Sequence, residues 1–496
     1  MKLRSIAALI SCLALHAAFA RAADDPPTTI PAPKPLSIDP ADSILSEYVP
    51  QGNVDPQPPP YSLMRFNEDY EYLSDPRNRT DLFDPLKYIP LNKSDPHSYL
   101  SLGGEIRERY EQFDNQNFGT GPVKYNNYVL QRITLGLDVH VNDHLRFFFQ
   151  GISGLQFGGE GEKPPVDVDP ADLQQGFVDL VFGDPEARDL RITARGGRFE
   201  ITFGSGRLVA TRAAPNIPFK YDGGELIVAE GKSRLYAFVT RPVMENKYEF
   251  DGANDQQAFW GVYGTTLLGG PLNTGIDLYY LGFRSEDAKF ADGIATEERH
   301  TMGTRLFGKA NGFDYDIEPV FQFGTFGEKN IRAWTLASDV GYTFESVPWK
   351  PRIGNKADIA SGDTKRGDNT LGTFNPLFFK SGYFNDASII RPSNIMDIHP
   401  SLQFRPIDPV QVTLASDVLW RYTSNDAVYA PPGFIELPAG SSSPYIGTTG
   451  EAAVQWTINR HWAWTTSYTP LFASDAVHNQ NGHDVDYLGT WLTFVW

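Results

Sequence analysis

Cysteine is nearly absent: Cys12 stands alone among 496 residues, so no disulfide framework can form. Beyond residue 22 no apolar run approaches the roughly 20 residues that a membrane-crossing helix needs. Any passage through a membrane therefore falls to strands. Cations are also short, with 43 Lys and Arg against 61 Asp and Glu and a net charge of −18. That balance leaves no basic surface for phosphates and excludes nucleic acid as a partner. Hydrolase signatures are missing: there is no Gly-x-Ser-x-Gly and no His-Glu-x-x-His. His140, His144, His399 and His461 sit in no such context, and His399 reads as a structural histidine on the inward side of its strand. No enzyme is expected, and neither a cofactor nor a metal is called for.

Aromatics, by contrast, reach 13% (23 Tyr, 33 Phe, 9 Trp), beside 45 Gly and 37 Pro. That mixture suits many strands separated by turns. Residues 1–22 read as an export signal: Lys2 and Arg4, an apolar stretch from Ile6, then Ala18-Phe19-Ala20 or Ala20-Arg21-Ala22 for cleavage. Leu9-Ile10-Ser11-Cys12 resembles a lipoprotein processing site. The apolar run continues to Ala20, however, so Cys12 reads as one more residue of the signal. Cleavage after Ala22 would remove Lys2, Arg4 and Arg21 and leave −21. Residues 23–100 form a Pro-rich periplasmic segment, an extended linker to about residue 60 and then a collar or plug.

From residue 101 onward the sequence alternates with period two. Phe313, Tyr315, Ile317, Pro319, Phe321 and Phe323 oppose Asp314, Asp316, Glu318 and Gln322, and Val129, Ile133, Leu135 and Leu137 oppose Arg132, Thr134 and Asp138. Eighteen such segments can be drawn from 102–113 to 484–496, the ninth and tenth at 273–284 and 298–309. Connections after even-numbered segments are short, as at 142–144, 184–188, 231–232 and 310–311. Those after odd-numbered ones are mostly long: 156–172, 198–222, 360–394 and 423–445. Short turns at one end and long loops at the other predict a closed, all-β, antiparallel transmembrane barrel of about 18 strands over residues 101–496. The last segment alternates through Leu488, Leu492 and Phe494 to a terminal Trp496, as outer-membrane strands do. The side away from lipid then carries Glu105, Arg107, Arg109, Glu111, Arg132, Asp179, Arg195, Arg305, Asp417, Arg421 and Glu451. Each charge would be costly against hydrocarbon, about 2–4 kcal/mol for Arg or Lys at the midplane. Glu108 breaks the rule, falling on the lipid-facing side. Loop 360–394 is either a gate over the mouth or an exposed mobile loop.

Several short stretches resemble the alginate export family of the bacterial outer membrane. They are Arg65-Phe66-Asn67-Glu68-Asp69-Tyr70, Asp84-Pro85-Leu86-Lys87-Tyr88-Ile89 and the run Gly103 to Glu111. Further on come Gly197-Arg198-Phe199, Gly206-Arg207-Leu208-Val209, Asn216 and Tyr221-Asp222-Gly223. Ala360-Ser361-Gly362-Asp363, Phe374-Asn375-Pro376-Leu377-Phe378 and Leu419-Trp420-Arg421 with Asp426 and Tyr429 complete the series. The family usually shows Gly-Arg-Gln where this chain has Gly197-Arg198-Phe199. The resemblance spans about Arg65 to Trp496 and implies an 18-stranded channel that exports an acidic polysaccharide such as alginate. Arg107, Arg109, Arg132, Arg198, Arg207, Arg305 and Arg421 would then contact substrate, with Glu105 and Asp179 orienting them. A porin for uptake of small anionic sugars is the alternative. Expected partners are an anionic polysaccharide or oligosaccharide, outer-membrane lipid, and periplasmic components that feed the pore.

Overall fold

The computed structural model describes residues 60–183, 190–431, 433–435 and 443–496. The expected export signal, most of the Pro-rich stretch and the turn at 184–188 lie outside these residues. Among those described, eighteen long strands follow one another around a ring. The first nine are β1 (Tyr99–Asp114), β2 (Tyr125–Asn142), β3 (Leu145–Gly158), β4 (Asp169–Phe182), β5 (Arg191–Phe199), β6 (Tyr221–Glu230), β7 (Ser233–Met244), β8 (Gln257–Gly269) and β9 (Thr274–Phe290). The second nine are β10 (Gly293–Ala310), β11 (Phe313–Phe326), β12 (Lys329–Thr343), β13 (Arg352–Ala360), β14 (Ile395–Ile407), β15 (Val410–Arg421), β16 (Tyr445–Thr457), β17 (Trp462–Ala473) and β18 (Val485–Val495). Each pairs antiparallel with its sequence neighbours, and β1 closes on β18 from Glu105↔Val495 to Asp114↔Asp486. The sheet is a closed 18-stranded antiparallel barrel. Closure pairs the edge donors and acceptors that hydrocarbon could not satisfy.

The seam ends on a close approach. Gly104 and Trp496 exchange both backbone hydrogen bonds (3.0 and 3.1 Å). A side chain at Gly104 would meet the Trp496 ring at 2.5 Å, so glycine is what lets the terminal indole lie across β1.

Alternation sets the two faces as expected. Leu135 (62% exposed), Leu278, Ile317, Phe321, Leu336 and Leu414 point outward. Aromatic side chains border this apolar band. Tyr280, His300 and Phe323 cluster at one margin, and Trp462, Phe494 and Trp496 at the other. On β11 the eleven residues from Phe313 to Phe323 span the band, about 25 Å once strand tilt is allowed for. Glu108 does face outward, where it accepts a cross-strand hydrogen bond from Gln131.

Two expectations need correction. β9 and β10 are longer than predicted and meet in a two-residue turn at 291–292. Their upper halves carry charges on both sides, so no apolar alternation marked them. Loop 361–394 is neither a cover outside the mouth nor a free loop: it folds into the barrel. Loop 200–220 does the same, and the two join through a parallel bridge between Val209 and Phe378. Ala210 N–H donates to Phe378 O (2.9 Å), Phe378 N–H to Leu208 O (2.9 Å) and Lys380 N–H to Gly206 O (2.9 Å). Phe378 then packs edge-on against Phe219, Tyr221, Phe259 and Phe283, while Phe203 stacks on Tyr263 at 4.5 Å. The upper lumen thus has an apolar core of its own.

Residues 60–98 fold as short turns against the end of the barrel where both β1 and β18 terminate. Arg65 donates to the Trp496 carbonyl (3.0 Å), His461 meets Asp81 (2.7 Å), and Phe83 packs on Phe494. Phe66 enters the lumen between Phe148 and Phe177, and Arg146 donates to its carbonyl (2.5 Å).

Two predictions follow from this frame. Ile317→Arg, on the lipid face midway between the aromatic margins, should destabilise the barrel by about 2–4 kcal/mol in reversible urea unfolding from lipid vesicles. Lys87 lies buried at 1% exposure over the rings of Tyr61 and Tyr70. Burial first, and the nearby Arg65 second, push its ammonium down to about 7. Between there and its ordinary value of 10.5 the docked segment binds fewer protons than the released one. Docking should therefore strengthen as pH rises from about 7 to 10, with the penalty fully present below 7. Limited proteolysis within 61–98 should slow over that range, and Lys87→Met should remove the dependence.

Candidate functional site

The strand carbonyls and amides fix which residues reach the lumen, and the inward loops decide what those residues meet. Arg107 on β1 and Arg132 on β2 are cross-strand partners, both buried. Arg132 is held by Glu105 (Nε to Oε1, 2.9 Å) and donates to Ala213 O (3.0 Å). Arg107 donates to the carbonyls of Ala213 (2.6 Å), Ala214 (2.9 Å) and Pro215 (3.1 Å) and to Asn216 Oδ1 (3.4 Å). Among the described residues it has no carboxylate in ion-pair contact. A buried guanidinium with only neutral acceptors is costly unless each hydrogen is well placed. Here loop 200–220 supplies the placement. Asn216 anchors that loop by donating to Leu155 O (3.0 Å) and Asp167 O (2.9 Å).

The other expected residues divide by partner. Arg109 is bound by Glu111 (2.6 Å) and the Tyr487 hydroxyl (2.8 Å), with Trp491 below it at 4.4 Å. Asp179 receives Arg195 through two hydrogen bonds (2.8 and 2.9 Å), in a ladder that continues to Arg146 and Glu225. Across the barrel, Arg305 bridges Asp277 (3.1 Å) and Asp316 (2.6 Å). Arg207 reaches from loop 200–220 to Asp316 (2.6 Å) and Glu318 (3.0 Å). Arg421 donates to the carbonyls of Ser424 (3.2 Å) and Ser443 (2.8 Å). Arg198 stands apart from the set. Arg195 and Phe199 face the lumen, so residue 198 has the opposite parity, and it pairs with Asp222 (2.7 and 2.9 Å) and the Asp251 carbonyl (2.9 Å).

The expected residues thus gather in three places: Glu105, Arg107, Arg109 and Arg132 on one wall, Arg207 and Arg305 on the facing one, and Asp179 toward the docked segment. Arg198 and Arg421 lie outside these groups. Sequence reasoning missed Arg391, half-buried in loop 361–394, whose guanidinium donates to Asn375 Oδ1 (3.1 Å). It also missed the apolar pair Phe203 and Phe378. Loop residues carry no period-two signal that could mark them as interior. Glu200 begins the other inward loop and accepts from Gln174 (2.8 Å).

The pattern of the alginate export family matches residues 98–490. The chain belongs to the alginate export family. No curated protein sequence matches it. Among solved structures, Acinetobacter baumannii OccAB1 is similar in fold, with a TM-score of 0.55 and 12% identity over 83% of this chain and 99% of that one. Pseudomonas aeruginosa OpdO aligns with a TM-score of 0.52 and 12% identity over 83% and 98%. Pseudomonas aeruginosa OccK2 (OpdF), solved in complex with glucuronate, aligns with a TM-score of 0.51 and 9% identity over 80% and 96%. This alginate export family member is therefore a bacterial outer-membrane channel protein of porin-like fold.

The clamp on the inward loop is testable. Arg107→Ala removes four charge-assisted hydrogen bonds, each about 1.5–3 kcal/mol and not additive. Amide hydrogen exchange across residues 206–217 should then speed up by roughly 30-fold or more, while β1 and β2 keep their protection.

Proposed function

We propose that the protein is a selective outer-membrane channel for acidic saccharides of the uronate type. The observation that carries this reading is Arg107: a guanidinium inside the barrel, without an ion-pair partner among the described residues, satisfied by a row of loop carbonyls. Those three oxygens stand where the carboxylate and hydroxyl oxygens of a sugar acid would bind. Arg132, oriented by Glu105, adds the second guanidinium, and withdrawal of loop 200–220 exposes both to solute. Family membership supports a polyuronate as the cargo.

A shorter substrate is the second reading, favoured by the filled lumen. Two inward loops and the docked segment leave less room for a polymer than an open bore would, and one barrel of similar fold was solved with glucuronate. Chain length separates the two.

Reconstituted in a planar bilayer, the channel should be blocked by oligouronate and not by a neutral oligosaccharide. Arg107→Ala should weaken the block by about tenfold or more, and Arg198→Ala should leave it unchanged. Block by glucuronate alone, with oligouronates inert, favours the small-solute channel. Block that survives Arg107→Ala overturns the arginine assignment.

A further inference from the structure

The opposite wall of the lumen has a different chemistry. β13 to β17 present one continuous inward face, and its register can be followed strand by strand. Lys356 pairs with His399 and Ile359 with Met396, which sets Asp358 opposite Asp397. The pairs Ile398↔Val418 and Ser401↔Ala415 set Asp417 opposite His399. Asp417 pairs in turn with Thr449, and Glu451 with Ala415. Thr469 follows beside Glu451 on β17.

Asp397 is 4% exposed and Asp417 fully buried, yet among the described residues none of their four carboxylate oxygens has a side-chain hydrogen-bonding partner, and only the backbone of Asp358 faces Asp397. His399 Nδ1, also buried and unpartnered, lies 3.9 Å from Asp417 Oδ2. Facing carboxylates repel one another unless a positive group stands between them. The cation set against Asp358, Asp397, Asp417 and Glu451 is Lys356; Arg352 and Arg421 share this face but are held by Asp314 and Asp339 and by the carbonyls of Ser424 and Ser443. Arg207, close to Asp358, is already committed to Asp316 and Glu318. The face is therefore short of positive charge and has polar groups aimed inward.

A bare metal ion is not the best match. Among the described residues, the trio close enough to ligate one together is Asp169, Asp172 and Asp251. There the Lys220 ammonium already sits 2.7 Å from Asp172 and 2.8 Å from Asp251. That arrangement shows within the same molecule how one ammonium satisfies carboxylates from separate segments. The β13–β17 carboxylates are spread more widely, which suits a cation that brings its own hydrogens and a body of some size. Thr449 and Thr469 add hydroxyls at the same level.

We propose that the inward face of β13–β17 is a second binding patch, for solutes that carry a primary ammonium beside hydroxyl groups, as an amino sugar does. Asp397 and Asp417 receive the ammonium, and Thr449, Thr469 and His399 meet the neutral polar groups. The patch is independent of the arginine wall and of the acidic-saccharide reading.

Calorimetric titration of the purified full-length protein with glucosamine, N-acetylglucosamine and glucuronate tests this. Glucosamine should bind at least about tenfold more tightly than N-acetylglucosamine, which has the same ring without the charge. Asp417→Asn and Asp397→Asn should each weaken glucosamine by about tenfold or more and leave glucuronate unchanged. Both variants should keep the wild-type Tm or raise it, because each replaces a buried carboxyl that lacks a side-chain partner; Glu451→Gln, at the less buried edge, supplies a milder check. Equal binding of the two amino-sugar forms, unchanged affinity in both aspartate variants, or no glucosamine binding up to about 10 mM would overturn the assignment. Glucuronate binding should follow Arg107 and not Asp417, so the two readings fail separately.

Discussion

Hydrocarbon has no hydrogen bonds to give, and the rest of this structure follows from that single deficit. A sheet in lipid must return to its own first strand, which β1 and β18 accomplish from Glu105 to Val495 and finish with the Gly104–Trp496 exchange. Once the ring is closed, side-chain direction is no longer free. Every second residue is committed to lipid, and the polar and charged ones between are committed to the space enclosed. The charge pattern of the lumen is thus a by-product of membrane solvation before it is a feature of transport.

Enclosing so many charges creates a second problem, because a space bounded by protein screens them poorly. The molecule solves it locally. Arg195 lies on Asp179, Arg305 on Asp277 and Asp316, and Arg109 on Glu111. Where strand partners run out, inward loops take over, and the carbonyls of Ala213 to Pro215 coordinate Arg107. Loops that would lie over the mouth in a simpler pore here serve as an internal ligand and bring an apolar core with them.

Most of the barrel was legible in the sequence because the constraint that builds it leaves a periodic trace. Where both sides of a strand meet water the trace fades, and residues 285–297 carry no period-two signal although β9 and β10 run through them. Individual contacts were less legible. Alternation from Arg191 and Arg195 already places residue 198 on the other side; only the family resemblance put Arg198 in the pore. Phe203, Phe378 and Arg391 were invisible for a plainer reason. They sit in irregular segments whose inward course depends on contacts between residues well over a hundred positions apart. No local pattern encodes such a meeting.

The parallel bridge between Val209 and Phe378 joins loops that leave the barrel wall eight strands apart. A tie of that kind turns two flexible segments into one mechanical unit. Withdrawing either loop would tear three backbone hydrogen bonds and expose the shared aromatic cluster to water, so partial retraction has little to recommend it energetically. The two loops would accordingly leave the lumen together or stay in it together.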